Sequence, residues 1–309
     1  VLNWTQMSDL CKEGAITGTG SLEGAIGKSA IDLSLSSNAF RMTQGSVKPL
    51  GPDLYDWFIK NKKLADQIKP LDDGAFTLKP KDTYVFELNE MLNTKALEAA
   101  QIHGQATAKS SVGRVDVLAR LIVDGMDTYE RFDPNSLKNH SGHMYLEITP
   151  ITFCVRVKPN TCLSQLRLFR GKPETAEIKG KELFMTVLEG PGAENGILTV
   201  DLANVDKGGL PVAAFCAIAN TPDNPIPLWE EPEEDKPKPW KYWKFKHTEG
   251  PPRLKIEETK FYILRSKEKI RVPEGVAIYC RASDETIGEM RIHYAGFVHP
   301  MFGKCRTDG

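Results

Sequence analysis

The chain has 309 residues, and its 40 Lys and Arg against 41 Asp and Glu leave a formal net charge of -1 at pH 7. This balance provides neither a global basic field for nucleic acid nor an acidic solvating tail, so a bound anion must be held by a local cluster. The length allows one large domain or two ordinary ones, with a core that needs no disulfide or metal for support.

The six cysteines are scattered, without a C-x-x-C pair or a short disulfide-rich framework. This usage predicts a reduced, cytoplasmic protein. Residues 1–14 lack the basic start and apolar run of a signal peptide, and no apolar stretch approaches transmembrane length. We therefore expect no membrane partner.

The N-terminal segments predict a helix and then a strand. Residues 5–14 suit a short helix that ends at its final glycine, with Thr5 or Ser8 as the capping residue. Residues 30–35 alternate as a strand does. Between them, Gly27-Lys28-Ser29 resembles the end of a Walker A loop, but such a loop opens into a helix, so no phosphate site is assigned there.

The pattern then changes from helical to extended. Residues 54–69 carry apolar side chains at helical spacing and end before Pro70, which predicts a surface helix. From residue 74 to residue 171, short alternating runs separated by turns are typical of an all-β sandwich or barrel. The predicted strands in this part are residues 75–78, 84–88, 115–123, 144–149, 153–157 and 163–169.

After residue 172 the pattern weakens. Residues 197–203 and 211–218 predict strands, and the proline-rich, charged residues 220–241 predict a loop. Aromatic residues alternate with lysines in residues 240–246, as they do on platforms for single-stranded nucleic acid. Because the acidic run at residues 230–235 lies beside them, we expect no nucleic acid there.

One polar run has the composition of a phosphate site. It consists of Lys109, Ser110, Ser111 and, three residues further on, Arg114. Arg offers a planar fork and Lys a point charge, while the hydroxyls and backbone amides add donors for phosphate oxygens. Downstream, Glu147 is a carboxylate within a predicted strand and could serve as acid or base. By themselves, the run could be a polar turn and the glutamate a cross-strand salt-bridge partner.

An internal repeat is the second notable feature of the sequence. Residues 83–90 (TYVFELNE) are answered by residues 261–268 (FYILRSKE), and an apolar strand follows each. The second copy continues into residues 291–303, which read RIHYAGFVHPMFG. The chain therefore reads as two copies of one β module, of which the first holds the K-S-S-x-x-R run.

These features together resemble the two-repeat bacterial dCTP deaminases of the dCTP deaminase and dUTPase superfamily. The K-S-S-x-x-R run resembles the phosphate motif of that family, and residues 29–35 resemble its first strand. Residues 291–303 resemble its H-Y-A-G-F-x-D-P-x-F-G segment. The resemblance implies a mainly β fold of two tandem dUTPase-like β-clip modules with a small N-terminal helix. It assigns residues 1–172 to the first module and residues 173–309 to a linker and a second, degenerate module.

The resemblance also implies an activity, the hydrolytic deamination of dCTP to dUTP and ammonia. Glu147 would be the general acid/base, acting on a water held near Ser110, while Arg114 and Lys109 would hold the triphosphate and help to orient the glutamate. Magnesium would accompany the phosphates, and the site would lie in a homo-oligomer, either a trimer or a pseudo-symmetric pairing of the two copies. The further substrate-binding residues would be Ser111, Asp124, Gly125, His293, Tyr294, Ala295 and Gly296.

Asp124-Gly125 ends a predicted strand, and the family has a similar D-G bend near its base-binding groups, although a simple turn explains the pair equally well. Two histidine patterns imitate metal sites. In His140-x-x-His143 with Glu147, strand geometry separates His140 from the other two. His247-Thr248-Glu249 lacks the P-C-x-x-C that zinc deaminases need, so we expect no zinc.

Two departures from the family pattern leave alternatives open. Residues 281–285 (RASDE) stand where a second phosphate motif would fall, and His299 replaces the usual aspartate. The sequence also stops at Gly309, whereas the second repeat of the family continues for several strands. One alternative is a dUTP pyrophosphatase, alone or combined with the deaminase, because residues 123–129 (VDGMDTY) resemble its D-x-x-Y arrangement. The other is a non-catalytic nucleotide-binding regulator.

Overall fold

A computed structural model gives the structure of the chain, which is mainly β as the sequence predicts. Its residues cluster into two compact units. The first spans Val1–Ala176 with Thr221–Asp235, and the second spans Glu177–Asn220 with Lys236–Gly309. The residues that the structure describes are 1–20, 30–45, 55, 59–203, 205–206, 211–229, 231–248, 253–273, 276–280 and 297–298.

Helices form a small part of the described ranges. The α-helices are α1 (Trp4–Lys12), α2 (Thr94–Ala100), α3 (Ser110–Gly113) and α4 (Lys181–Val187). Short 3-10 helices are formed by Pro173–Ala176, Ala193–Asn195 and Pro239–Lys241.

Helix α1 confirms the predicted N-terminal helix but not its predicted cap. The Asn3 side chain accepts the Gln6 N–H at 3.0 Å, and the Gln6 side chain accepts the Asn3 N–H at 3.0 Å. Because this reciprocal capping box satisfies N–H groups that have no partner within the helix, Asn3 is the cap. The prediction of Thr5 or Ser8 is therefore wrong.

The first unit is organised around one large antiparallel sheet. The described strands before residue 176 are β1 (Ile16–Thr17), β2 (Ile31–Met42), β3 (Ala65–Ile68), β4 (Phe76–Leu78), β5 (Tyr84–Leu92), β6 (Ile102–Ala108), β7 (Val117–Val123), β8 (Arg131–Phe132), β9 (His143–Pro150), β10 (Val155–Val157) and β11 (Cys162–Arg170). The sheet has the order β7-β9-β5-β2-β11-β6-β8, with β1 also paired to β5 and β3 to β2. Strands β2, β4, β5, β7, β9, β10 and β11 confirm the seven predicted strands of this part.

Strand β9 lies in the interior of this sheet, between β7 and β5. Residues 144–148 are all buried, which is the pattern of a strand covered on both faces. The register places Glu147 opposite Arg120 on β7 and Val85 on β5. A carboxylate at such a position needs a partner, because burying an unpaired charge is costly.

The predicted surface helix at residues 54–69 is partly correct: Tyr55 and Ile59 are helical, but the residues from 60 onward are not. Residues 65–68 form β3, which pairs with β2. Tyr55 and Ile59 are buried in an apolar cluster that also contains Phe40 and Tyr145. The spacing of four residues therefore belongs to two helical residues whose side chains share one face and pack into the core of the unit.

The second unit contains smaller sheets. The described strands after residue 176 are β12 (Leu188–Glu189), β13 (Val205–Asp206), β14 (Pro211–Val212), β15 (Ala214–Ala217), β16 (Ile226–Pro227), β17 (Trp243–Lys246), β18 (Tyr262–Leu264), β19 (Lys269–Ile270), β20 (Ile278–Tyr279) and β21 (Phe297–Val298). The second unit has a three-stranded sheet β17-β15-β18 and the pairs β12-β19, β13-β14 and β20-β21. Strand β16 belongs to the first unit, where it pairs in parallel with β10.

Predictions for this part of the chain are only partly correct. The strand expected at residues 211–218 is present as β14 and β15. The strand expected at residues 197–203 is wrong, since its pairing is a single bridge from Val200 to Ser266. The predicted loop at residues 220–241 is confirmed apart from short β16 and one 3-10 turn.

The internal repeat is visible in side-chain contacts at a constant offset of 178 residues. The Tyr84 hydroxyl accepts the Lys79 N–H at 3.0 Å, and the Tyr262 hydroxyl accepts the Glu257 N–H at 3.0 Å. In both copies, the tyrosine hydroxyl therefore binds the backbone five residues before the tyrosine. A shared contact of this kind is more specific than a shared hydrophobic pattern, because it requires the same backbone path.

A buried glutamate repeats at the same offset. Glu90 accepts the Ser34 N–H at 2.9 Å and the Ser34 hydroxyl at 2.7 Å. Glu268 accepts the Thr199 N–H at 2.7 Å, the Thr199 hydroxyl at 2.7 Å and the Gly192 N–H at 3.1 Å. Burial raises the pKa of Glu90. Burial also acts to raise the pKa of Glu268, but the hydrogen bonds from Thr199 and Gly192 together lower it.

Glu130 links two strands of the large sheet that are not neighbours in its order. Its carbonyl accepts the Ala106 N–H of β6 at 2.7 Å, and its own N–H donates to the Leu121 carbonyl of β7 at 2.9 Å. Its Oε1 atom accepts the Leu121 N–H at 2.9 Å. The Oε2 atom is buried and has no hydrogen-bond partner among the described residues. Burial raises the pKa of this carboxyl to about 7.

We predict that Glu130→Gln removes a pH dependence of stability. Because the pKa is raised in the folded state, the contribution of Glu130 is complete below about pH 4.5 and is lost as the pH rises through about 7. The wild-type free energy of unfolding should fall by up to roughly 3 kcal/mol over this window through Glu130 alone. Urea unfolding at pH 5, 6, 7 and 8 measures the difference between the two proteins. Glu174→Gln, at an exposed ion pair, is the control, and parallel curves for Glu130→Gln and wild type would contradict the prediction.

Candidate active site

The K-S-S-x-x-R run forms a tight, exposed turn of helix between β6 and β7. Lys109 precedes helix α3, and its carbonyl accepts the N–H groups of Val112 at 3.0 Å and Gly113 at 3.2 Å. Ser110, Ser111 and Arg114 are exposed. The turn therefore presents two hydroxyls and one guanidinium to solvent, where they can meet an anion.

Lys109 is less free than its neighbours. Its ammonium group lies 2.5 Å from Oδ2 of Asp32 on β2, and its backbone N–H donates to the Leu163 carbonyl at 2.9 Å. An ammonium has three donors, so the ion pair leaves capacity for a second acceptor. The Asp32 carboxylate nevertheless offsets the charge of Lys109. An anion bound at the motif would therefore compete with Asp32 for Lys109 more than for Arg114.

A cavity of about 530 Å³ opens beside the motif. This volume lies within the range of small-molecule sites, about 300–1,000 Å³. One wall comes from residues 226–229, which belong to the first unit although Glu177–Asn220 of the second unit precedes them in the sequence. In this wall, the Trp229 ring has the Lys158 ammonium 4.3 Å from its centroid. The lining residues are Lys109, Ser111, Val112, Val115, Asn160, Thr161, Cys162, Ile226, Pro227, Leu228 and Trp229.

Glu147 is the centre of a second cluster, which consists of Arg120, Tyr129 and Glu147. Its side chain is only 1% exposed, and its Oε1 atom accepts from two nitrogens of Arg120, with Nε at 3.0 Å and the terminal nitrogen in close contact. The Tyr129 hydroxyl donates to Oε2 at 3.2 Å. The Arg120 guanidinium also lies over the Tyr129 ring, 4.1 Å from its centroid. The cross-strand salt bridge that was the simpler interpretation of Glu147 is therefore present.

The strand register separates this cluster from the motif. Val117, where the chain from the motif enters β7, lies opposite Pro150, whereas Glu147 lies opposite Arg120. Three residues of strand correspond to roughly 10 Å. The cation that contacts Glu147 is Arg120, and neither Lys109 nor Arg114 takes that place.

The Asp124-Gly125 bend is fixed by buried hydrogen bonds. Asp124 is 1% exposed, and its two carboxylate oxygens accept the Tyr55 N–H at 2.7 Å and the Ser141 hydroxyl at 3.0 Å. Gly125 has a φ of +88°, and a Cβ atom there would lie 2.3 Å from the His140 ring. The Asp124 carboxylate is therefore used to hold the bend in place. A nucleotide base bound at this bend would contact the backbone groups.

Tyr55 borders the Glu147 cluster from another side. Burial raises its pKa, and the charge of Glu147 raises it further. Its ring lies 5.1 Å from that of Tyr145, which shares a face of β9 with Glu147. Sequence reasoning missed Tyr55 and Arg120, and it included Tyr129 only in the D-x-x-Y resemblance of the pyrophosphatase alternative. The signal for Arg120 was a charged residue inside the apolar run 117–123, which is unusual for a buried strand.

The two histidines of the His140-x-x-His143 pattern have different partners. The Nδ1 atom of His143 lies 3.1 Å from Oε1 of Glu87, while His140 packs over Gly125. Among the described residues, no three His, Cys, Asp or Glu side chains are grouped so that they could hold a metal ion. Residues 293–296, predicted to bind substrate, lie outside the described residues.

Comparison with known proteins first identifies the fold. A crystal structure of 2′-deoxycytidine 5′-triphosphate deaminase from Agrobacterium tumefaciens superposes with a TM-score of 0.81. It shares 24% sequence identity, over 99% of this chain and 85% of that one, a level at which the likeness shows the fold. None of the helices in the described part of the chain has the length and apolarity that crossing a bilayer requires.

The family then follows from sequence models. Residues 1–172 match the N-terminal domain of 2′-deoxycytidine 5′-triphosphate deaminase, and residues 173–309 match the C-terminal domain. The chain belongs to the dCTP deaminase family, which confirms the resemblance inferred from its motifs. The search of curated proteins gives no match.

We predict that Gly125→Ala destabilises the first unit by roughly 2–4 kcal/mol, because a strained φ adds to overpacking against His140. Adding His140→Ala should recover the part of the stability that is lost to overpacking, while the part that is lost to the strained φ should remain lost. Gly74→Ala is the matched control, since Gly74 has a φ of +78° and open space around its Cβ position. Denaturant unfolding measures all four proteins, and equal losses for Gly125→Ala and Gly74→Ala would count against the contact with His140.

Proposed function

We propose that this protein hydrolyses dCTP to dUTP and ammonia, with Glu147 as the general acid and base. The observation that carries the proposal is the match of both family domains over the full length of the chain. The geometry adds a carboxylate that is buried, held from two sides and located in an interior strand. Such a group has a fixed position, which general acid-base catalysis requires.

The chemistry balances without an external oxidant or reductant. Glu147 takes a proton from water while the water oxygen bonds to C4 of the cytosine. The carboxyl group delivers that proton to N3 of the ring and then carries the proton of the new C4 hydroxyl to the amine, so that the C4–N bond breaks, ammonia departs and C4 keeps a carbonyl oxygen. Proton transfer by a positioned side chain contributes about 10² to 10⁴ in rate. The remaining acceleration must come from orientation and from exclusion of water.

The motif at residues 109–114 would bind the triphosphate. Ser110, Ser111 and Arg114 are exposed and offer hydroxyl and guanidinium donors, while Lys109 adds a cation that Asp32 partly offsets. Magnesium, a hard cation that prefers oxygen ligands, would be held mainly by the phosphates, and it would neutralise part of their charge. The oxygen ligands near the motif, the Asp32 carboxylate and the two serine hydroxyls, fit such an ion.

The resemblance of the motifs to those of the family implies an oligomeric site. We propose a homo-oligomer in which another copy of the chain completes each site, with residues 1–172 and 173–309 as the modules of each copy. Among the described residues, Cys11, Cys162, Cys216 and Cys280 are free thiols, which supports a reduced cytoplasmic setting.

The decisive measurement is a product assay with dCTP, CTP and dUTP that follows ammonia, phosphate and pyrophosphate together. Release of ammonia and dUTP from dCTP supports deamination. Formation of dUMP and pyrophosphate from dUTP would establish the pyrophosphatase activity, and binding without turnover would establish a regulator.

We predict that Glu147→Gln binds dCTP with near-normal affinity but loses at least ~10² in turnover. Gln keeps an acceptor for Arg120, so the expected loss of stability is modest, roughly 1–3 kcal/mol. Ammonia release, dCTP affinity and melting temperature should be measured together. Glu87→Gln, a partly exposed carboxylate paired with His143 on a neighbouring strand, is the matched control. Near-normal turnover in Glu147→Gln would remove the glutamate from the mechanism.

We also predict that Arg114→Ala weakens binding of dCTP much more than binding of deoxycytidine, because the motif is proposed to contact phosphates. Isothermal titration with both ligands measures this difference. Arg41→Ala, at an exposed ion pair with Asp66, is the control for loss of a surface charge. Equal losses for the two ligands would contradict a phosphate role for Arg114.

A further inference from the structure

In the cluster of Arg120, Tyr129 and Glu147, each side chain contacts the other two. Arg120 reaches Oε1 of Glu147 through two nitrogens, Tyr129 reaches Oε2 at 3.2 Å, and the guanidinium lies 4.1 Å from the Tyr129 ring centroid. Since both carboxylate oxygens are held, the rotation of the carboxylate plane is restricted.

We propose that Arg120 is the positioning residue of the reaction: it fixes the plane of the Glu147 carboxylate, with Tyr129 as its support, and does not itself contact the nucleotide. The inference rests on the proposed role of Glu147 and adds to it. The family motif gives no reason to choose Arg120, which lies six residues beyond Arg114 and outside the K-S-S-x-x-R run.

Burial explains why this position needs an arginine. Glu147 is 1% exposed and Arg120 is 28% exposed, so the ion pair joins the core to the solvent side of the sheet. Burying a carboxylate is costly unless a well-placed, hydrogen-bonded partner accompanies it. Arg provides this with a planar fork that also fixes direction, whereas Lys would supply charge without direction.

Tyr129 adds a separate constraint. Its ring supports the guanidinium through a cation–π contact, and its hydroxyl donates to the second oxygen of Glu147. Tyr129→Phe keeps the ring and removes the hydroxyl. The variant therefore separates support of Arg120 from the hydrogen bond to Glu147.

The test compares kcat and KM for dCTP in wild type, Arg120→Lys, Arg120→Gln and Tyr129→Phe, with dCTP affinity and melting temperature measured on each. We expect kcat to fall about 10- to 100-fold in Arg120→Gln, since small misplacements of a catalytic group have effects of this size. Arg120→Lys should recover part of that loss, Tyr129→Phe should lose less, and KM should change little in all three. Arg131→Gln, which breaks an exposed ion pair with Glu174, should behave as wild type.

A double-mutant cycle distinguishes a positioning role of Arg120 from a merely structural one. If Arg120 acts through Glu147, then Arg120→Gln should have no further effect on kcat in the Glu147→Gln background. Additive losses would overturn the proposal, as would a wild-type kcat in Arg120→Lys and Arg120→Gln, or a loss confined to KM. If Arg120→Gln does not fold, Arg120→Lys decides: wild-type kcat in that variant also overturns the proposal.

The same assay distinguishes the two levels of inference. A wild-type protein that releases no ammonia from dCTP rejects the proposed function. An active wild type with unaffected Arg120 variants rejects only the positioning role.

Discussion

The constraint on which this structure depends is that a carboxylate inside a β-sheet must be matched by donors. In the first unit, Glu90 receives the N–H and hydroxyl of Ser34, and so joins β5 to β2. Glu130 receives an N–H of β7 while its own backbone connects to β6. Glu147 receives Arg120 and joins β9 to β7. Each of the three residues joins two strands, Glu90 and Glu147 through the carboxylate and Glu130 through the carboxylate and the backbone together.

This constraint also connects the fold to the repeat. Glu268 in the second unit receives the N–H and hydroxyl of Thr199, as Glu90 receives those of Ser34, and the offset of 178 residues is the one that relates Tyr84 to Tyr262. A duplicated sequence can lose its surface motifs freely, but a buried carboxylate that loses its donors destabilises the unit. The junction glutamate is therefore retained even where the second copy has RASDE in place of a phosphate motif.

Much of the first unit could be predicted from sequence, because alternation reports which face of a strand is buried. Strand β6 was missed, since its run of His, Gly, Gln, Ala and Thr carries little hydrophobic contrast. The helix assigned to residues 54–69 was predicted too long, because the apolar spacing continues past Ile59 into residues that form turns and strand β3. The partner of Glu147 could not be predicted either: pairing Arg120 with Glu147 depends on strand register, which tertiary packing fixes and local sequence does not.

A salt bridge at Glu147 does not argue against catalysis. A carboxylate on an exposed strand would be hydrated and mobile, and its proton transfers would have to compete with bulk water. The interior of a sheet removes that water, but it tolerates the charge only if a cation accompanies it. The structural interpretation of Glu147 and the catalytic one thus describe the same arrangement: the ion pair with Arg120 is the condition under which a base can be held, ionised, in an interior strand.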